Sequence, residues 1–325
     1  MTAHLLILLA ALCIDWFAGE PQWLWGRVPH PVVWFGKLVA LADEHLNLET
    51  DPDPTRYRKG ALAWVLLVAV ALAGAMAIDS LLGSLGILGA LVEALIVFVF
   101  LAQKSLKDHV QGVADGLAAS LDAGREAVSR IVGRDPKKLD RAGVSRAAIE
   151  SLAENYSDGI VAPAFWYAIF GLPGLAVYKM INTADSMIAH KNARYLWFGR
   201  VSAQADDLAN WLPARLSTGL IALGVLVLHG SKLAARALMV AVRDAGIHRS
   251  PNAGWPEGAM AGALGIALGG PRAYPTEIVS EPHVNASGRL NIDVAEIDGA
   301  IRIFTAACIA LWGSCAVLAL ILAIS

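Results

Sequence analysis

Acids and amides recur at helical spacing in this otherwise apolar chain, and their types narrow the chemistry it could perform. Glu154 and Asp158, in "AENYSDG", stand four residues apart. A helix that continues through residue 159 would therefore set both carboxylates on one face. Lys179, Asn182, Thr183 and Ser186 form a second polar stripe with Asp185 beside it, and Asp206 and Asn210 again take i,i+4 positions next to Asp207. Two more clusters interrupt the apolar background, and the second stripe extends further along its own stretch. "DWFAGEPQ" and "RVPHPVVWFGK" contain Asp15 and His30, "YKMINTADSMIAHKNARY" adds Lys191 and Arg194, and "IHRSPNAGWPEGA" holds Ser250, Asn252 and Glu257. Carboxylates and amides beside lysines suit Mg²⁺ and phosphate oxygens, because Mg²⁺ takes one or two carboxylates and keeps several waters. The same groups suit an intramembrane ion path, so spacing alone leaves catalysis and transport both open.

Each cluster also has a plainer reading. An isolated acidic pair such as Glu154 and Asp158 is most often a solvated helix end. Lys179, Lys191 and Arg194 could anchor helices at a membrane surface, and Trp16, Trp23 and Trp25 fit an interfacial aromatic belt. His190 and His248 lack metal-ligand spacing and read as surface or hydrogen-bonded histidines. Gly258, Gly262, Gly265 and Gly269 make small-xxx-small steps, the pattern of close helix packing. What these readings leave unexplained is the recurrence of such clusters in so hydrophobic a chain. No P-loop, G-x-G-x-x-G, H-E-x-x-H or G-x-S-x-G pattern occurs.

The elements that must position these groups belong in lipid. The 325 residues are 56% hydrophobic and 17% charged, with mean hydropathy +0.54; a soluble domain carries about 25% charged residues. The net charge of −2 excludes a basic nucleic-acid binder. Cys13, Cys308 and Cys315 sit in apolar stretches without metal spacing, as helix-packing residues. The fold class is therefore all-α, a polytopic membrane protein of about four to six spans, since each span needs about 20 apolar residues. Residues 61–82 and 83–102 qualify, joined by a tight "DSLLGSLG" turn, as do 214–229 and 301–324. Residues 5–18 are borderline because Asp15 interrupts them, and read as a retained first segment rather than a cleaved signal. Residues 160–177 and 258–269 carry prolines and glycines, the mark of broken or re-entrant segments.

Between the spans, Leu106, Val110, Val113, Leu117 and Leu121 share one face and predict an amphipathic helix ending near "GRDPKK". A second helix is expected from about Val144 into Glu154. No repeat or linker divides the chain, so residues 1–325 read as a single membrane-embedded domain. Basic residues flanking the first strong pair of spans place those flanks in the cytoplasm. Later basic stretches on both sides of residues 214–229 leave the remaining orientation open.

Three long stretches add a resemblance. "AENYSDGIVAPAFWYAIFGLPGLAVYKMINTADSM", "RYLWFGRVSAQADDLANWLPARL" and "SPNAGWPEGAMAGALGIALGGP" closely resemble the adenosylcobinamide-phosphate synthase family, CobD/CbiB, of cobalamin biosynthesis. The early Asp15, "GEP" and "PHPV" pieces look like that family's opening motif, and the resemblance runs in the family's order over nearly the whole chain. It implies a multi-pass ligase of the cell inner membrane with its active site on the cytoplasmic side. Such an enzyme joins the free propionate carboxyl of adenosylcobyric acid to (R)-1-amino-2-propanol or its O-phosphate, with ATP and Mg²⁺. The route expected from the resemblance is an acyl phosphate attacked by the amine.

Under that resemblance Glu154, Asp158, Lys179 and Glu257 are the expected catalytic residues. Glu154 and Asp158 could also face the metal, and Glu257 or Glu154 could take the amine proton. Asp185, Asp206 and Asp207 are the expected Mg²⁺ ligands. Lys179, Lys191 and Arg194 would balance charge on the transferred phosphoryl group. Asp15, His30, Asn155, Ser157, Asn182, Asn210, Ser250 and Asn252 complete the expected substrate and nucleotide contacts. The expected partners are the corrinoid, the amine, ATP and the bilayer, with a homo-oligomer and handover to later cobalamin-assembly membrane enzymes as further expectations. The rivals are a transporter with midplane binding at broken helices and a membrane sensor of related architecture.

Overall fold

The computed structural model describes every residue except 20–24, 28, 134–135, 271, 274–277, 280–281 and 325. Glu20 and Pro21 of the opening motif, Trp23, and Pro271 closing the last motif lie outside the described residues. So do Arg134 and Asp135 of "GRDPKK". The described chain is almost wholly helical. Five helical stretches are long and apolar enough to cross a membrane: Asp53–Ser84, Gly86–Ala119, Arg141–Ile188, Arg200–His229 and Val294–Ile324. Thr2–Ala18 is apolar but shorter, at 17 residues. The chain forms two compact units, one of residues 1–102, 162–210 and 315–325, the other of residues 103–161 and 211–314.

The first unit contains α1 (Thr2–Ala18), α2 (Pro31–Leu46), α3 (Asp53–Ser84), α4 (Gly86–Val99), α8 (Ala162–Ile188) and α9 (Arg200–Ala209). Its core joins Val39 of α2, Ala63, Leu67 and Ala71 of α3, and Met180, Ala184 and Ile188 of α8 around Phe198. The other face of α3 exposes Leu66 and Val70 at 51% and 53%, an apolar surface that lipid would cover. The predicted "DSLLGSLG" turn is narrower than expected. α3 stays helical through Ser84, and the reversal is confined to Leu85 and Gly86, whose φ of 56° suits a residue without Cβ. α8 is broken as its composition suggests: Gly171 takes φ 65° and ψ −153°, followed by Pro173, which cannot donate a helical hydrogen bond.

The second unit contains α5 (Gln103–Ala119), α6 (Leu121–Val128), α7 (Arg141–Tyr156), α10 (Trp211–His229), α11 (Ser231–Asp244), α12 (Gly254–Leu264) and most of α13 (Val294–Ile324). Leu106, Val110, Val113 and Leu117 form the buried face of α5, as their spacing predicts. That helix stops at Ala119, short of Leu121, because Ser120 turns extended and its Oγ accepts the Ala123 N–H at 3.1 Å to start α6. α7 starts at Arg141, earlier than Val144, where Asp140 caps it by accepting the Gly143 N–H at 2.7 Å.

The apolar piece at residues 258–269 is no span. α12 is 11 residues long and ends at Gly265, which takes a left-handed conformation. Its glycines do serve close packing: a Cβ on Gly258 would lie 2.8 Å from Ala241 Cα, and one on Gly262 2.9 Å from Ala237 Cα, both on α11. Leu268–Gly269 pairs with His283–Val284 in a short antiparallel ladder. Asp244 ends α11 in a buried lock. It accepts Arg243 Nε and Nη2 at 2.6 and 2.7 Å and the Asn285 N–H at 2.7 Å. Asn285, at φ 54°, donates its amide to Ile266 O at 2.9 Å. The hydrogen bond from Arg243, reinforced by the Asn285 N–H, holds the Asp244 carboxyl below the usual carboxylate range against the opposing effect of burial.

Candidate functional site

In the first unit, α8 and the end of α9 build a polar network over an apolar cavity. Tyr178 donates to Asn210 Oδ1 at 3.0 Å, and Asn210 Nδ2 donates to Asp206 Oδ2 at 3.0 Å. Asn182 Nδ2 donates to the other Asp206 oxygen at 3.4 Å. The carboxylate is thus held between two amides, an orientation that an isolated side chain would lose to rotamer freedom. Tyr178 and Asn210 are each 1% exposed. Tyr178 also lines a cavity of about 610 Å³ with Trp64, Trp166, Phe170, Ile181 and Leu208. A large apolar pocket edged by a few fixed polar groups is the usual form of a small-molecule site.

The rest of the predicted stripe divides. Lys179 and Asp185 are half-buried on α8, whereas Asp207 and Lys191 are exposed. Thr183 and Ser186 turn their hydroxyls back onto Lys179 O and Asn182 O at 2.7 and 2.9 Å, so they bond their own helix. Arg194 donates to Asp43 at 2.9 Å and reaches Glu49 at 3.5 Å, and the Asp43 bond raises its already high pKa. Its carbonyl accepts Asn47 Nδ2 at 3.2 Å and Arg56 Nη2, which ties this loop to α2 and α3. His30 caps α2: Nδ1 accepts the Val32 N–H at 3.2 Å, so Nε2 carries the proton donated to Val99 O at 3.0 Å. Asp15 is 1% exposed within α1.

In the second unit, the "AENYSDG" stretch crosses from α7 into a π-helical turn, Ser157–Val161. Such turns are rare insertions that re-aim side chains and concentrate at functional sites. Glu154 and Asn155 are exposed and Asp158 is half-buried. Asn155 donates to Ser151 O at 2.9 Å, while Ser157 Oγ is buried and has no hydrogen-bond partner among the described residues.

Before α12, Ser250 Oγ accepts the Asn252 and Ala253 N–H groups at 3.2 Å each, so it shapes the loop. His248 Nδ1 accepts the Ser250 N–H at 3.0 Å, which leaves its proton on Nε2, 3.6 Å from Glu257 Oε1. Glu257 is 1% exposed. The spacing argument read His248 as a surface or hydrogen-bonded histidine, and it passed over Arg215 altogether. Arg215 stacks between Trp211 and Trp255 at 4.2 and 4.6 Å, and its Nη1 donates to Asn252 Oδ1 at 3.3 Å. The available sequence signal was an arginine near the start of an apolar helix with no acid on the adjacent turns.

No three His, Cys, Asp or Glu side chains converge as a metal cage among the described residues. The donor set fits a metal that brings its own phosphate ligands: Mg²⁺ needs only one or two protein carboxylates, and the Asp206 carboxylate is held in place by Asn182 and Asn210.

Helices of this length and hydropathy, with polar networks held inside each unit, define a polytopic helical membrane protein. The CobD/CbiB protein family model matches residues 8–304, which include every candidate position from Asp15 to Glu257, and the chain belongs to that family. It is 55% identical over 318 residues to cobalamin biosynthesis protein CobD of Sinorhizobium sp, covering 98% of each chain. It is 54% identical over 305 residues to the Rhizobium meliloti (strain 1021) protein of the same name, covering 94% of this chain and 93% of the relative. The Rhodobacter capsulatus relative is 46% identical over 282 residues, covering 86% and 87%. No solved structure matches the chain.

Proposed function

We propose that the chain is the amide-forming ligase of cobalamin assembly. It joins the free propionate carboxyl of adenosylcobyric acid to (R)-1-amino-2-propanol or its O-phosphate at the expense of ATP. The observation that carries this reading is that the motif stretches supply the polar networks, with Tyr178, Asn182, Asp206 and Asn210 in the first unit and Ser250, Asn252 and Glu257 in the second. Family membership and relatives named for cobalamin biosynthesis support the substrate class.

A carboxylate is a poor electrophile and the amine is protonated in water, so the reaction divides into two steps. A carboxylate oxygen attacks the γ-phosphorus of ATP, the bond to the β-phosphate oxygen breaks, and ADP leaves with an acyl phosphate remaining. A base takes one proton from the ammonium, the freed nitrogen attacks the acyl carbon, and phosphate leaves with the second N–H proton.

Lys179 and Lys191 would offset charge on the transferred phosphoryl group. Asp206, with Asp185 or Asp207 as a second carboxylate at most, would hold Mg²⁺, which when bound neutralises phosphate charge. The apolar cavity beside Tyr178 suits a hydrophobic portion of a substrate. In the second unit, the sealed Glu257 carboxylate with His248 suits acceptance of the amine proton, and Glu154 and Asp158 supply acids at the π turn. Because ATP is a cytoplasmic metabolite, the site would open to that side of the cell membrane.

The test is incubation of the purified chain with adenosylcobyric acid, aminopropanol or its phosphate, ATP and Mg²⁺. A product mass matching one new amide is expected. Recovery of the corrinoid unchanged would overturn the reading in favour of transport or sensing.

A further inference from the structure

We propose that the edge of the Arg215 guanidinium is a binding site for a soluble oxyanion, a phosphate or a carboxylate. The guanidinium carbon lies over two indole rings, 4.2 Å from that of Trp211 on its own helix and 4.6 Å from that of Trp255 on α12. One end is pinned, since Nη1 donates to Trp211 O at 2.6 Å and to Asn252 Oδ1 at 3.3 Å. The other edge is unpaired. Among the described residues neither Nε nor Nη2 has a hydrogen-bond partner, and no carboxylate lies within ion-pair distance of Arg215.

That pattern has a specific chemical meaning. Two indole faces and an amide hold the side chain in one orientation, so little rotamer freedom remains to be lost on binding. The Nε and Nη2 hydrogens of a guanidinium project in parallel from one edge of the plane, the geometry that meets two oxygens of a carboxylate or phosphate at once. A partly buried cation without a protein counter-charge is uncompensated, and an incoming oxyanion supplies what is missing. A lysine could provide the charge but neither the stack nor the two-pronged edge.

An arginine that merely anchored a helix at the membrane surface would extend its head toward lipid headgroups. Here Asn252 (5% exposed) and Trp255, both from outside α10, clamp the head in place. The site therefore favours a soluble anion over a lipid phosphate. This inference concerns binding alone and stands or falls separately from the ligase reading.

The experiment uses the full chain labelled with 5-fluorotryptophan, in nanodiscs of zwitterionic lipid, with the Trp211 and Trp255 ¹⁹F resonances assigned by W211F and W255F. Inorganic phosphate and propionate are titrated separately at constant ionic strength. Saturable shifts of those two resonances with either anion are expected, and the tighter of the two identifies phosphate or carboxylate as the natural class. In R215Q the apparent affinity should fall about tenfold or more. R215K, which keeps the charge, should also bind several-fold more weakly, and it decides the matter if R215Q does not fold. Unsaturable shifts, equal affinity in R215K and the wild type, or shifts seen only when phosphatidylglycerol is added to the nanodisc would each overturn the proposal.

Discussion

His248 Nε2 stands 3.6 Å from Glu257 Oε1, a carboxylate only 1% exposed, and a backbone N–H on the far ring nitrogen fixes which nitrogen carries the histidine proton. Under the proposed function, this sealed acid beside a tautomerically fixed histidine would receive the amine proton. Replacing Glu257 by Gln keeps the shape and removes the proposed base. Amide formation by E257Q should fall by about a hundredfold or more with the thermal melting point largely kept. Near-wild-type turnover, measured by product mass over time, would remove Glu257 from the mechanism.

Asp206 gives a separate test in the first unit. Its two oxygens accept Asn182 and Asn210, so D206N preserves size while removing the charge. The variant should need about tenfold or more Mg²⁺ for half-maximal activity, the scale seen when the groups around a metal are altered. N182A, which loosens the same carboxylate, should move the Mg²⁺ dependence in the same direction by less. An unchanged Mg²⁺ requirement in D206N would show that the metal is held elsewhere.

The extent to which these groups could be read from sequence depends on whether their partners are local. The buried face of α5 was visible because Leu106, Val110, Val113 and Leu117 recur at the period of one helix. The break at Gly171 was visible because glycine and proline act through the backbone of their own segment. The end of α5 at Ala119 was not, since only the rotamer of Ser120 and one hydrogen bond separate a cap from a continuing helix. The same limit hid His248 and Arg215, whose meaning comes from Glu257, Asn252 and Trp255 on other elements. The π turn at Ser157–Val161 has no periodic signature either. The i,i+4 reading of Glu154 and Asp158 thus missed the backbone geometry between them.

Packing between α11 and α12 should respond sharply to small changes. A Cβ at Gly262 would lie 2.9 Å from Ala237 Cα and 2.8 Å from Arg236 O, and backbone atoms cannot move aside cheaply. G262A should lose about 1–3 kcal/mol of stability by overpacking. Gly219 on α10 has no atom within 4 Å of its would-be Cβ, so G219A should be neutral or gain up to about 1 kcal/mol. Detergent-phase melting curves of both variants distinguish a tight helix crossing from a general intolerance of alanine.

Acid sensitivity follows from the lock at Asp244. The hydrogen bond from Arg243, with help from the Asn285 N–H, holds this carboxyl below its ordinary range. In the unfolded chain the group returns to about 3.9, so protons bind the unfolded state first as pH falls. The stabilisation is therefore fully present above that value and is lost as pH drops through the lower, folded one. D244N deletes the titrating group. Its melting temperature should lie below wild type at neutral pH, and the gap should close as pH falls below about 4. A gap that stayed constant from neutral pH down to the acid limit of solubility would mean that Asp244 stabilises the fold through shape alone, independent of its charge.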